Sequence, residues 1–216
     1  MAEFEDARAV WDRRFSEADG LLFGAEPNAW LAEHYGLLPA GGRVLCVADG
    51  ESRNGVFLAS AGFQVTAFDI SSVAVDKARA LAAERGVQLE LFVADIESWH
   101  FEPDAFDAVV AIFIQFAGPD LRARLFEGFQ RTIRPGGVLL IEGYGERQLR
   151  YRTGGPGVPE NLYRMRPLLD AFPGWEILAS RDADIVLSEG NAHSGISHSV
   201  AAVLRKPVPG EPTVRA

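Results

Sequence analysis

Two acidic residues follow short apolar runs of the sequence and could accept hydrogen bonds from a ligand. Asp69 ends one run, and Asp95 stands in the segment Ala94-Asp95-Ile96 at the end of another. Gly50 follows an earlier apolar run, and its missing Cβ lets the backbone approach a ligand closely. Asp69 lies about 20 residues beyond Gly50, where a carboxylate can accept hydrogen bonds from a ribose diol. The spacing therefore predicts a site for a ribose-containing ligand.

The elements that must position these residues begin in the stretch from Arg43 to Asp69. Val44–Val47 is an apolar run, residues 48–52 form a turn, and Val56–Ala61 is a helix-like segment. The start of such a helix supplies free N–H groups and the positive end of its dipole. This order of strand, tight turn, helix, strand and acid is half of a nucleotide-binding α/β unit.

The rest of the chain continues the α/β pattern. Ser71 and Ser72 signal the start of a helix that reaches about Arg85, and Gly86 is placed to end it. A second helix follows Pro119, and a third is expected at residues 160–172 after a long loop. Five further strands are predicted at residues 89–93, 108–114, 138–141, 175–187 and 196–204. The predicted fold is α/β: a Rossmann-like, doubly wound, seven-stranded and mostly parallel sheet with an antiparallel last strand and helices on both faces.

Composition narrows the class of protein. The chain has 216 residues, 48% hydrophobic and 24% charged, which is typical of a globular domain. Its net charge of −9 argues against a nucleic-acid partner. The single cysteine, Cys46, excludes an internal disulfide and a cysteine-based metal cluster, and we predict no metal site. Since no signal segment or long apolar run is visible, we expect no membrane partner and a cytoplasmic location.

The chain divides into three predicted parts. Residues 1–38 form a helical cap or lid, residues 39–206 the main domain, and residues 207–216 a disordered tail. The cap carries Trp11, Phe23 and Trp30, which could shield a ligand from water. A packing helix without that role is the alternative for this segment.

Several short motifs resemble the class I S-adenosylmethionine-dependent methyltransferases. The resemblance covers roughly residues 10 to 206 and is nearest to the small bacterial tellurite-resistance and thiopurine-methyltransferase-like group. The residues that carry it are Trp11-Asp12-Arg13-Arg14-Phe15, Phe23-Gly24-Ala25-Glu26-Pro27-Asn28, Gly50-Glu51-Ser52-Arg53-Asn54 and Thr153-Gly154-Gly155-Pro156. The resemblance implies S-adenosylmethionine as the cofactor, S-adenosylhomocysteine as its product, and a methyltransferase domain at residues 39–206.

The resemblance also implies a role for individual residues. Gly50 would approach the methionine part of the cofactor, and Asp69 would accept from the ribose hydroxyls. Asp95 would accept from the adenine amino group. The remaining implied contacts are Ile70 packing on adenine, a backbone N–H of Ile96, Phe113 beside the sulfonium, and Trp11 closing over the cofactor.

The first motif departs from the family pattern of one acid and three glycines. Cys46, Ala48 and Ser52 stand where the family has the acid and two of the glycines. Ala48 and Ser52 are small, so a close approach of ligand and backbone is retained. Asp49 is the candidate to replace the missing acid, on the basis of its proximity.

Catalytic and substrate residues are expected at the carboxyl ends of the parallel strands. His193, on the predicted hairpin Ser188–Gly195, is the candidate base, and Tyr144 also points toward the cleft. Arg152 and Gln115 are the predicted substrate contacts. Arg152 belongs to a group of arginines that could form a mouth for an anionic substrate, with a solvated surface as the alternative. That group is Arg147, Arg150, Arg152, Arg164 and Arg166.

The predicted function is methyl transfer from S-adenosylmethionine to a small molecule, with a thiol or chalcogen as the acceptor. Such acceptors ionise readily, whereas a hydroxyl or amine would need a base. An oxygen or nitrogen acceptor on a small anionic metabolite is one alternative, and a non-catalytic cofactor-binding protein is another. A nicotinamide-dependent oxidoreductase is disfavoured because the G-x-G-x-x-G pattern is absent. We expect a monomer or a homodimer.

Overall fold

The computed structural model describes residues 6–190 and 193–210, with the backbone alone described at His193. Of the predicted disordered tail, residues 207–210 are described and residues 211–216 lie outside the described part. None of the helices in the described part has the length and apolar character that crossing a membrane requires.

Seven strands form one sheet in the order β3-β2-β1-β4-β5-β7-β6. Strands β1 to β5 are parallel, and β7 runs antiparallel between β5 and β6. The strands are β1 Arg43–Val47, β2 Gln64–Asp69, β3 Glu90–Val93, β4 Phe106–Ile112, β5 Ile133–Tyr144, β6 Glu176–Glu189 and β7 His193–Arg205. This topology confirms the predicted fold class.

The helices begin and end largely where local sequence signals indicate. Ser71 caps α4 by accepting from Ala74 N at 3.1 Å, and Gly86 ends it at φ +66°. Pro119 occupies the first turn of α5. The helices are α1 Ala7–Glu17, α2 Ala29–His34, α3 Arg53–Ser60, α4 Ser72–Arg85, α5 Pro119–Thr132, α6 Gln148–Tyr151 and α7 Met165–Asp170, with 3₁₀ turns at Tyr35–Leu37 and Pro159–Asn161.

The sheet is buried on both faces, which fixes its central strands. Leu45 and Val109 pack with Phe129 of α5 in one core cluster. Cys46 and Val110 face the other way and pack with Leu58 of α3. Apolar side chains on both faces explain why β1 and β4 read as continuous apolar runs.

The last third of the chain differs from the sequence prediction. β5 extends to Tyr144, and α6 interrupts the predicted long loop. The predicted helix at residues 160–172 is a 3₁₀ turn followed by the short α7. β6 and β7 pair as far as Glu189 and His193, so the connection between them is shorter than the predicted hairpin Ser188–Gly195. The strands extend because each pairs with the other beyond the end of β5.

Candidate active site

A cleft of about 640 Å³ opens at the carboxyl ends of the parallel strands, between the sheet and α1. This volume lies within the range typical of small-molecule sites. All residues predicted to contact a cofactor border the cleft: Trp11, Asp49, Gly50, Asp69, Ile70, Asp95, Ile96 and Phe113. Among the described residues, no group of three or more His, Cys, Asp or Glu side chains could hold a metal ion.

The turn after β1 keeps the backbone shape of a glycine-rich loop although it holds a single glycine. Gly50 has φ +57°, and a Cβ at this position would lie 3.3 Å from Phe15 Cζ. Ala48 and Ser52 also adopt left-handed backbone angles, at φ +47° and +58°. These angles normally favour glycine. The turn is therefore formed against the preference of the residues at positions 48 and 52.

Asp69 ties the end of β2 to that turn. Its Oδ2 accepts from Gly50 N and its Oδ1 from Ser71 N, each at 2.9 Å. Burial raises the pKa of Asp69, and these backbone hydrogen bonds act in the opposite direction. Each carboxylate oxygen can accept a second hydrogen bond, so a ribose diol in the cleft would find acceptors held in place.

Asp49 holds the start of α3. Its Oδ2 accepts from Ser52 Oγ at 2.7 Å and from Gly55 N at 3.0 Å, and Asn54 Nδ2 donates to Oδ1 at 3.3 Å. Burial raises the pKa of Asp49 from 3.8 to about 6. Asp49 thus orders the turn from within, and its role in place of the acid missing at Cys46 stays a prediction.

Asp95 lies at the far end of the cleft, beyond β3. Its Oδ1 accepts from Glu97 N at 2.9 Å, while the side chain borders the cleft. Ile96 is buried beside it, and Ile70 is half-buried at the end of β2. An apolar slot with an acceptor at its rim suits a heterocycle that carries an amino group.

Aromatic side chains border the cleft in two places, on the cap and after β4. In α1, Trp11 stacks on Phe15 with 5.7 Å between centroids, and Phe15 meets Phe23 edge-on at 6.1 Å. Phe113 follows β4 at φ +54° and lies 4.7 Å from the Tyr144 ring. Unusual backbone angles of this kind concentrate at functional sites.

The sequence of this protein was compared with protein families and with known proteins. The family model described as "Methyltransferase domain" matches residues 44–137, which hold the glycine turn, Asp69, Asp95 and Phe113. This part of the chain, less than half of its length, is therefore similar to a methyltransferase domain. Over 106 residues the chain is 35% identical to a ubiquinone biosynthesis O-methyltransferase of Xanthomonas axonopodis pv. citri, an alignment that covers 49% of this chain and 44% of that protein.

Solved structures share the fold of this protein across most of the chain. One, solved in a study of the conversion of a disulfide bond into a thioacetal group during echinomycin biosynthesis, has a TM-score of 0.73, 23% identity and 95% coverage of both chains. TehB from Haemophilus influenzae has a TM-score of 0.66 and 16% identity, covering 82% of this chain and 61% of that one. The chain spans less than half of the curated relatives it matches, 41% and 44% of their lengths.

The methyltransferase family implies S-adenosylmethionine as the cofactor, and the cleft fits it. The left-handed turn at Gly50 exposes backbone to the cleft, Asp69 presents acceptor oxygens, and an apolar slot ends at Asp95. These groups suit the amino-acid part, the ribose and the adenine of that cofactor, in this order along the cleft.

Tyr144 borders the cleft of the methyltransferase domain but is unsuited to act as a base. Its side chain is 1% exposed. Burial, together with the charges of Glu189 and Glu142, raises the pKa of Tyr144 well above its ordinary value. The phenol therefore stays protonated at neutral pH, which argues against a role as proton acceptor, and a catalytic role for Tyr144 stays a prediction. The predicted base His193 pairs with Glu189 through the backbone, and its side chain lies outside the described part.

Of the two predicted substrate contacts, Gln115 and Arg152, the structure places one at the cleft. Gln115 borders the cleft, but its Nε2 donates to Tyr144 O at 2.8 Å and its Oε1 accepts from Tyr144 N at 2.5 Å. Its amide holds the end of β5 and has little capacity left for a substrate. Arg152 is exposed and caps α6, and it is not among the residues that line the cleft.

The predicted arginine mouth is largely neutralised by carboxylates. Arg147 pairs with Asp184 at 2.9 Å, and Arg166 pairs with Asp170 at 2.8 Å. Arg164 lies 2.5 Å from Glu146. These pairs favour the solvated surface for Arg147, Arg164 and Arg166, and a substrate contact by Arg152 stays a prediction.

Arg14, Phe116 and Asn161 are among the cleft residues that were not predicted from the sequence. Arg14 lies over the Trp11 ring with 4.4 Å between its Cζ and the centroid, which places a cation at the border of the cleft. Phe116 is 44% exposed, and Asn161 donates through Nδ2 to Gln115 O at 2.9 Å. Arg14 falls within a motif that carries the family resemblance, which was the available signal. Phe116 and Asn161 reach the cleft only through loop packing.

Proposed function

We propose that this protein is an S-adenosylmethionine-dependent methyltransferase that acts on a small molecule with a soft nucleophile, a thiol or a chalcogenide. The observation that carries the proposal is the set of groups that border the cleft. The Gly50 turn, Asp69 and Asp95 follow β1, β2 and β3, whereas the rings of Phe113 and Phe116 follow β4. The first group suits the cofactor, and the second suits a small acceptor.

The bound cofactor would supply a methyl group already activated on a positively charged sulfur. The protein then has to align the acceptor with the methyl group and exclude water. Asp69 and the Gly50 turn would orient the cofactor from one side. Trp11, Phe15 and Phe23 would cover the cleft from the other, since these rings lie on α1 and the segment that follows it.

The acceptor class follows from the titratable groups of the cleft. Among the described residues that line it, the carboxylates are Asp49, Asp69, Asp95 and Glu97, which follow the strands β1, β2 and β3 assigned to the cofactor. The raised pKa of Tyr144 keeps its phenol protonated beside the Phe113 ring. An acceptor that is ionised without help therefore suits this site, and thiols, with a pKa near about 8.5, meet that condition.

The test starts with binding. We expect S-adenosylhomocysteine to raise the melting temperature by several degrees, because a ligand at about 100 times its Kd adds about 2.7 kcal/mol. NAD is the matched control, since it also carries adenine and ribose. Methyl transfer is then followed with a panel of small thiols, phenols and amines. Binding without turnover on any acceptor would favour a non-catalytic cofactor-binding protein.

An oxygen acceptor is the second candidate. The similarity to the Xanthomonas ubiquinone biosynthesis O-methyltransferase favours it. A phenol has a pKa near about 10, so its methylation at neutral pH would need a proton acceptor. A rate that rises through the pKa of the acceptor in solution would support a reaction in which the protein supplies no base. A rate that levels off near pH 7 would indicate a base, for which His193 is the sequence candidate.

A further inference from the structure

A network of buried charged side chains lies beside the cleft, and the chemistry proposed above does not use it. Glu142 is fully buried, and Glu189 and Arg53 are 7% and 6% exposed. Arg53 Nη2 lies 2.5 Å from Glu189 Oε2, and Arg181 Nη2 lies 2.6 Å from Glu142 Oε1. Charges this deep are costly unless each has a partner. Each carboxylate here is paired with one guanidinium.

Asn28 connects the two carboxylates to the cap, residues 6–38. Its Nδ2 donates to Glu142 Oε2 at 2.7 Å and to Glu189 Oε1 at 3.1 Å. Its backbone N–H donates to Asn54 Oδ1 at 2.9 Å, and its own Oδ1 accepts from Leu31 N at 3.0 Å. The cap therefore enters the network through a fully buried residue that uses both its donors and its acceptor.

Arg53 and Glu189 join the cap to two other segments. Arg53 begins α3, directly after the glycine turn, and its Nη1 donates to Glu26 O of the cap at 3.0 Å. Glu189 is the last residue of β6. A Cβ on the following Gly190 would lie 2.4 Å from Phe23 C, so the end of this strand packs directly on the cap backbone.

The cap held by this network carries the rings that cover the cleft. Phe15 lies against Gly50, and Trp11 and Phe23 contact Phe15. Because these rings border the cleft, we expect their motion to affect the release of a ligand beneath them. Interactions that hold such a segment closed act on the release of the ligand.

We propose that Arg53 and Glu189 are positioning residues whose buried ion pair, joined to the cap through Asn28, holds the cap closed over the bound cofactor and sets its dissociation rate. This inference rests on the proposed function, since it takes S-adenosylmethionine and S-adenosylhomocysteine as the ligands of the cleft. The apparent Kd equals the Kd of the closed state divided by the fraction of the protein that is closed. It therefore rises when that fraction falls. Weakening the pair should therefore accelerate release.

The first variant is Glu189→Gln, which keeps the shape of the side chain and removes its charge. We expect S-adenosylhomocysteine to dissociate about tenfold faster or more, because hydrogen bonds to charged groups are among the strongest in proteins. We also expect faster amide hydrogen exchange in residues 7–28, with exchange in β1 and β4 unchanged. Glu176→Gln is the matched control: it lies at the other end of β6 and removes an exposed pair with Arg205.

A second variant guards against a folding defect. Arg53→Met combined with Glu189→Met replaces the pair by apolar side chains and leaves no unpaired charge, a change that folded proteins often tolerate. We expect this double variant to fold and to release S-adenosylhomocysteine faster than the parent. Release at the parental rate from the folded double variant would overturn the proposal.

The remaining outcomes separate this inference from the proposed function. If the parent protein does not bind S-adenosylhomocysteine, the proposed function fails, and exchange in the cap alone then tests the role of the pair. Cap exchange and dissociation unchanged in Glu189→Gln would overturn the inference. Exchange that rises equally in the cap and in the strands would also overturn it, because Glu189 would then act on overall stability.

Discussion

Replacing Asp69 by asparagine should destabilise the turn that faces the cofactor. The two carboxylate oxygens accept from Gly50 N and Ser71 N, each at 2.9 Å. Asparagine offers one acceptor oxygen, so its Nδ2 would face one of these N–H donors as a second donor. A buried donor without a partner costs about 1–3 kcal/mol. In a domain of this size the melting temperature should fall by about 2–12 °C.

The same change should weaken cofactor binding by more than the turn alone explains. In the proposed complex Asp69 also accepts from the ribose hydroxyls. A hydrogen bond to a charged group contributes about 1.5–3 kcal/mol, so losing one raises the Kd about 10- to 100-fold. Asp69→Asn should therefore show both a lower melting temperature and a higher Kd for S-adenosylhomocysteine.

Calorimetric titration measures the Kd for S-adenosylhomocysteine. It is done at a temperature where the parent and Asp69→Asn are both folded. Melting without ligand measures the effect on the fold. Asp76→Asn is the control, since Asp76 is an exposed residue of α4 that pairs with Arg79. A Kd within about threefold of the parent, with a lowered melting temperature, would leave Asp69 as a structural tie and refute its role in ribose binding. No change in either quantity would refute the hydrogen-bond reasoning as well.

Three further predictions concern titration and charge at the cleft. Loss of a general base lowers kcat about 100-fold or more. Because the Tyr144 phenol stays protonated, Tyr144→Phe should lower kcat less than about tenfold. A larger loss would contradict that protonated state. Burial raises the pKa of Asp49 from 3.8 to about 6, so its stabilising contribution is present below pH 3.8 and is lost as pH rises through 6. The melting temperature of Asp49→Asn, taken relative to that of the parent, should therefore be higher at pH 8 than at pH 5, and a difference that does not change with pH would count against this. Arg14→Ala should raise the KM of an anionic acceptor, whereas Arg152→Ala should leave it unchanged; the opposite order would restore the predicted arginine mouth.

The nucleotide-binding half of the fold was predictable because its signals are local. An apolar run, a turn with Gly50, a helix and the acid Asp69 stand in one continuous stretch, and Ser71 and Gly86 mark the ends of α4. A strand buried on both faces needs apolar residues throughout, so β1 and β4 were visible as such. The carboxyl ends of parallel strands share one edge, and this brought Asp69 and Asp95 to the same cleft.

The side chains of the second half were less predictable because their partners are distant in sequence. The amide of Gln115 could bind a substrate, but in the structure it forms hydrogen bonds with the backbone of Tyr144 at the end of β5. Arg147 and Arg166 read as free cations until Asp184 and Asp170 are placed beside them. The position of Tyr144 was foreseen, but its raised pKa depends on burial and on Glu189, which lies on another strand.

By itself, the sequence determined the class of fold, the succession of strands and helices along the chain, and the edge of the sheet where a ligand is expected. These follow from periodicity and turn residues, which act over short stretches of chain. Only the tertiary structure decided which charges are paired and which rings meet. Burial and long-range contacts set those properties, and they place Asn28, Arg53 and Glu189 in one network although they lie on three different elements.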